Sequence, residues 1–166
     1  MRRSVGRLPV AVAFSLIFAV VADLNAAEPW VRVVQPDAAQ RTALPPGAID
    51  YGRFVWMPAN ALAAMPQREN TRHFPNPIAM AIGGFVRDPQ AGLPEAGPWY
   101  ESTSSKGPDF RIIQFRGPVK SAWLNRLRRA GIEPLQYIHP FSYVVWADEA
   151  SLVAGRSQSP VRWAGD

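Results

Sequence analysis

With 166 residues and no cysteine, the chain has room for one domain or two very small ones, and disulfides, thiol catalysis and thiolate metal sites are excluded. Hydrophobic residues make up 48% of it, too much for a wholly disordered chain, while 17 prolines and 12 glycines call for long connecting segments. The formal charge of +5 includes three arginines and one aspartate in the first 27 residues; the remaining 15 basic and 12 acidic residues form no run of like charge, so nothing here points to nucleic acid.

Residues 1–7 carry Arg2, Arg3 and Arg7 without an acid, residues 8–22 are apolar apart from Ser15, and Asn25-Ala26-Ala27 follow. These are the three regions of a secretory signal peptide, with cleavage expected after Ala26 or Ala27 and a secreted or periplasmic product. The apolar run falls short of the roughly 20 residues that span a bilayer. No other segment is a candidate span, so no membrane association is expected after cleavage. Residues 28–48, mixed and proline-interrupted, read as an extended lead-in.

Residues 49–87 read as a small α+β segment: a strand at 53–57, Pro58 opening a short helix over 59–65, and a strand or hairpin at 78–86 bent at Gly83-Gly84. Residues 88–108 hold Pro89, Gly92, Pro94, Gly97, Pro98, Gly107 and Pro108, and are expected to link two compact parts. Phe54-Val55-Trp56 with Leu62 and Ala64 is echoed at the same spacing by Val144-Val145-Trp146 with Leu152 and Ala154, both reading as strand into helix.

Residues 109–166 carry the clearest pattern. Residues 110–115 read as a strand with a buried centre. Val119, Ala122, Trp123, Leu127 and Ala130 recur at steps of three or four, the stripe of an amphipathic helix that Gly131 ends. Arg126, Arg128 and Arg129 fall in its last turn, where cations favour the helix dipole. Strands at 135–138 and 143–147 follow around His139-Pro140, then a short helix capped by Asp148, then a strand at 161–163. The order β-α-β-β-α-β predicts an α+β chain with a ferredoxin-like module at its C-terminal end, preceded by a small strand-helix-strand segment and the signal peptide. Such a sheet covers one face with helices and leaves the other free for a partner. Alternation puts Tyr143 and Val145 on one side, and Val144 and Trp146 on the other. The candidate partner-binding residues are Tyr137, Tyr143, Val145, Trp146 and Trp163.

Catalytic chemistry has no foothold. No Asp-Ser/Thr-Gly, His-Gly, Gly-Thr-Ser or Gly-x-Ser-x-Gly context for a serine triad occurs, and the chain is expected not to be an enzyme. His73 and His139 lack metal-ligand spacing, and Gly83-Gly84 is not followed by the Lys-Ser/Thr of a phosphate loop, so no metal and no cofactor are expected. An RNA-recognition module shares the element order, but its Arg/Lys-Gly-Phe/Tyr signature is missing from the third strand, and no nucleic-acid partner is expected.

Residues 110–118 (Phe-Arg-Ile-Ile-Gln-Phe-Arg-Gly-Pro), Trp123-Leu124, Ala130-Gly131-Ile132, Tyr137-Ile138-His139-Pro140, Tyr143-Val144-Val145-Trp146 and Val161-Arg162-Trp163 together resemble the pro-region that precedes the catalytic domain in bacterial secreted subtilisin-like serine peptidases. Ile49-Asp50-Tyr51-Gly52 and Phe54-Val55-Trp56 resemble the segment upstream of it. The resemblance implies an intramolecular chaperone and temporary inhibitor that docks by its sheet face on a subtilisin-like catalytic domain, in cis in a longer relative or in trans. The catalytic domain itself does not follow: the chain is a free-standing pro-region, a truncated product or a fragment. Ala164-Gly165-Asp166 after Trp163 form too short a tail to fill an active-site cleft. The alternative is a stand-alone secreted protease inhibitor or an envelope protein-interaction module.

Overall fold

The computed structural model describes residues 29–65, 70–82, 84–92 and 107–165. The expected signal peptide and residues 93–106 of the expected linker lie outside the described residues.

Trp-Val-Arg-Val-Val, bracketed by Pro29 and Pro36, forms strand β1 (Trp30–Val34). Helix α1 (Ala38–Thr42) follows through a reciprocal cap. The Asp37 carboxylate accepts from the Gln40 backbone N–H at 2.7 Å, and the Gln40 side-chain oxygen accepts from the Asp37 N–H at 2.9 Å. Strands β2 (Ile49–Asp50) and β3 (Phe54–Pro58), a 3₁₀ helix at Ala59–Ala64 and strand β4 (Thr71–Phe74) complete the first unit. Its four strands run antiparallel in the order β2-β3-β1-β4. The expected lead-in is thus corrected: β1 is an inner strand of the sheet, paired with β3 and β4. Val31 and Val33 are fully buried with Val55, Met57 and Met65 in a small core, because apolar side chains at every second position share the face turned to it.

A hairpin of β5 (Met80–Ile82) and β6 (Phe85–Arg87) turns at the expected place, and a single 3₁₀ turn, Pro89–Ala91, follows it. Asp88 caps that turn by accepting from the Gln90 N–H.

The second unit consists of β7 (Asp109–Phe115), α2 (Ser121–Arg129), β8 (Glu133–Ile138), β9 (Ser142–Ala147), α3 (Glu149–Arg156) and β10 (Val161–Gly165). Its strands lie in the order β10-β7-β9-β8 with every neighbour antiparallel, and the chain as a whole is α+β. Gly131, at φ +80, ends α2 as its left-handed stop, and Asp148 caps α3 by accepting from the Ser151 N–H at 2.7 Å. Trp123 and Leu127 of α2 and Leu152 of α3 bury themselves against Ile113, Phe115, Val145 and Ala147. The echoed strand-helix pairs both form, with opposite fates for their tryptophans: Trp56 is buried and Trp146 is half exposed.

The two units are not separate bodies on a tether. Trp56 donates its indole N–H to the Arg116 carbonyl at 3.0 Å, Tyr51 donates its hydroxyl to the Pro118 carbonyl at 2.6 Å, and Lys120 donates to the Asp50 carbonyl at 2.6 Å. Burial pushes the Tyr51 hydroxyl's pKa well above its ordinary value, so it remains a donor.

Candidate functional site

Strand alternation divides the second sheet into two faces. One is the helix-covered side just described. The other carries Phe110, Ile112 and Gln114 from β7 and Ser142, Val144 and Trp146 from β9. They sit in three cross-strand rows: Phe110 opposite Trp146, Ile112 opposite Val144, Gln114 opposite Ser142.

The third row is covered by the chain itself. Gln114 donates its amide N–H to the Ile78 carbonyl at 2.8 Å, the Ser142 hydroxyl lies 3.5 Å from the Met80 sulfur, and Ile78 and Met80 are buried there. A bidentate ion pair fastens the same end. Both Arg162 terminal nitrogens reach the Asp88 carboxylate at 2.6 Å, their side chains only 8% and 14% exposed, and Arg162 also donates to the Gln114 amide oxygen at 3.1 Å.

The first row is open. Phe110 is 63% exposed and Trp146 42% exposed, their rings edge-to-face with centroids 5.0 Å apart. Trp163 on β10, half-buried, extends the same side. It pairs opposite Gln114, and its ring lies so close over Gly165 that a Cβ there would meet it at 2.5 Å. Phe110, Trp146, Ile112, Val144 and Trp163 thus make an apolar strip across three strands. Arg162 at its border is engaged by Asp88, Glu133 opposite Trp146 on β8 lies 3.4 Å from Arg128, and the Asp109 carboxylate accepts from the Phe110 N–H at 2.8 Å. An uncharged strip with an exposed aromatic pair suits an apolar protein surface and offers nothing to phosphate.

The five residues expected to bind a partner do not form one surface. Trp146 and Trp163 lie on the strip. Val145 is fully buried in the helix-side core and has no surface to offer, because its side chain faces Trp123 and Leu127. Tyr143 lies on that helix side too, with Tyr137 edge-on to it at 5.5 Å; the Tyr137 hydroxyl accepts from the Phe141 N–H at 3.2 Å. Sequence reasoning missed Phe110, Ile112 and Val144. The signal was present in the alternation of residues 110–115, which fixes Phe110 and Ile112 on the side opposite buried Ile113 and Phe115. His73 is exposed on β4 and His139 exposed in the β8–β9 turn; among the described residues no group of three or more His, Asp or Glu side chains could hold a metal ion.

A family model for a domain of unknown function, DUF8729, matches residues 70–166, more than half of the chain. The chain belongs to the DUF8729 family. The DUF8729 domain opens at β4, well before the residue 109 at which the second unit was expected to begin. The contacts give a physical reason for the earlier start: Ile78 and Met80 cover the third row of the β7–β9 face, and Asp88 pairs with Arg162. The DUF8729 span contains the whole apolar strip, whereas β1 to β3 precede it. No curated protein and no solved structure matches the chain.

Proposed function

We propose that this protein is an exported, non-catalytic docking module whose ferredoxin-like second unit binds the catalytic domain of a subtilisin-like serine peptidase, as a pro-region does. The observation that carries the reading is the open Phe110–Trp146 end of the sheet, an aromatic anchor pair on an uncharged strip. The element order β-α-β-β-α-β with the first and third strands central supports the ferredoxin-like assignment. The resemblance of residues 110–163 to subtilisin-like pro-regions supports the choice of partner.

The coverage of the third row by residues 78–80 limits the docking surface to the Phe110 end and its neighbours. It also favours a second reading, in which a self-sufficient fold acts in trans as a secreted inhibitor or envelope-interaction module, since one of the three rows is satisfied without a partner. A refolding assay tests the chaperone role. A denatured subtilisin-like catalytic domain, diluted into buffer with the protein in excess, should recover activity at a yield several-fold above that with an unrelated protein. An unchanged yield contradicts the role.

A further inference from the structure

Strands β1, β3 and β4 turn one face of the first sheet toward its own small core. The opposite face carries Trp30, Arg32, Phe54, Trp56 and Phe74, because residues at every second position share a side and the register sets Arg32 opposite Trp56 and Trp30 opposite Phe74. Between this face and the turns of the second unit lies a cavity of about 350 Å³, walled by the rings of Phe54, Trp56, Phe74 and Phe141 and closed at its edges by two prolines and His139. The volume falls within the roughly 300 to 1,000 Å³ usual for small-molecule sites.

The Arg32 guanidinium lies 5.6 Å from the Phe54 ring centroid and 5.8 Å from that of Phe74, held between two aromatic faces. Its Nε is buried and has no hydrogen-bond partner, and among the described residues no carboxylate pairs with it. No acid lines the cavity. The largely buried Arg162, by contrast, is answered by Asp88. Leaving a buried donor unmet costs of the order of 1–3 kcal/mol, so this Nε–H, in an aromatic wall without an acid, is a ready donor to an anion.

We propose that this cavity binds a small aromatic carboxylate. The carboxylate would take the Arg32 guanidinium and the flat apolar body would stack among Phe54, Trp56, Phe74 and Phe141. A planar guanidinium fork matches a carboxylate. Arg72, opposite Arg32 on β4 with its guanidinium 5.4 Å from the Phe74 ring centroid, stands beside the site, but the four aromatic rings of the wall favour a flat apolar body over inorganic phosphate, and no glycine-rich turn of backbone N–H groups lines it. The site is separate from the sheet strip and does not depend on a peptidase partner.

The test is calorimetric titration of the full chain with 2-naphthoate, 2-naphthamide and inorganic phosphate. The naphthoate should bind, the amide at least tenfold more weakly, and phosphate not at all. Arg32→Met, which keeps the stem and removes the charge, should lose naphthoate binding by tenfold or more while still melting cooperatively within a few degrees of the parent. Arg32→Lys should fold and retain weakened binding. Equal binding of acid and amide, preferential binding of phosphate, no naphthoate binding at millimolar concentration, or unaltered binding by a folded Arg32→Met protein would each overturn the proposal.

Discussion

Trp56 and Arg116 are 60 residues apart in sequence, yet the Trp56 indole N–H is hydrogen-bonded to the Arg116 carbonyl at 3.0 Å. Gly117 lies beneath the same ring, where an added Cβ would fall 2.6 Å from Trp56 Cδ1 and 3.1 Å from the Tyr51 hydroxyl oxygen. Both neighbours are themselves fixed, Trp56 by stacking on Trp30 and Tyr51 by stacking on Phe54, so neither yields cheaply. Gly117→Ala should therefore destabilise the protein by about 1–3 kcal/mol, the usual cost of overpacking. Because this contact joins the two units, the loss should appear as a lower midpoint of a single urea transition. An unchanged midpoint would mean the units do not meet at Gly117.

Asp88 and Arg162 are both largely buried, and removing one leaves the other's charge uncompensated. Asp88→Ala should cost about 3 kcal/mol in denaturant unfolding. Replacing both partners by apolar residues of similar volume should recover much of that loss. A cost below about 1 kcal/mol for Asp88→Ala would place the pair among ordinary surface ion pairs.

Two carboxylates link stability to acid. The Arg41 guanidinium, hydrogen-bonded to Asp50, with help from the Gly52 backbone N–H, holds the Asp50 carboxyl below its ordinary 3.8. The Ser151 backbone N–H likewise lowers Asp148. A folded-state pKa below the unfolded one contributes stability above the unfolded value and loses it as pH falls through the folded value. The melting temperature should thus hold steady from neutral pH down to about pH 5 and fall below about pH 4. Asp50→Asn should flatten part of that fall. The effect should be small, since the Asp50 side chain is 37% exposed and water screens the pair. An identical pH profile for Asp50→Asn and the parent would remove Asp50 from this explanation.

The second unit was legible because its local signals agree. The stripe through Trp123 and Leu127, the stop at Gly131, the cap at Asp148 and the apolar centre of residues 110–115 all point to one topology, and helix and strand bounds fall within a few residues of expectation. The first unit was not legible in the same way. β1 spans five residues between prolines, and its partners β3 and β4 come twenty or more residues later, so local periodicity gave no hint that it occupies the sheet's interior. The same blind spot hid Arg32, whose surroundings come from three strands and two turns. On the sheet face, alternation separated Val145 from Trp146 correctly. What residues 110–147 alone could not reveal is that residues 78–80 cover the Gln114–Ser142 row, because that contact depends on a carbonyl and a sulfur rather than on a pattern.

Export is open to a direct check. Material recovered outside the cytoplasm should have lost the first 26 or 27 residues, as read by intact mass. Full-length chain retained in the membrane fraction would contradict signal cleavage.

The central claim is that the strip bearing Phe110 and Trp146 docks on a subtilisin-like catalytic domain. The decisive measurement is the affinity of the full chain for such a domain, compared with Phe110→Ala and Trp146→Ala proteins. Truncating a buried interface anchor should cost about 2 kcal/mol, roughly thirtyfold in Kd. The variants' melting temperatures should stay near the parent's, because both side chains are largely exposed in the free protein. Raising salt should change the affinity little, since apolar burial is not screened. Undiminished binding by Phe110→Ala and Trp146→Ala, or no peptidase binding alongside steeply salt-dependent oligonucleotide binding, would contradict the claim.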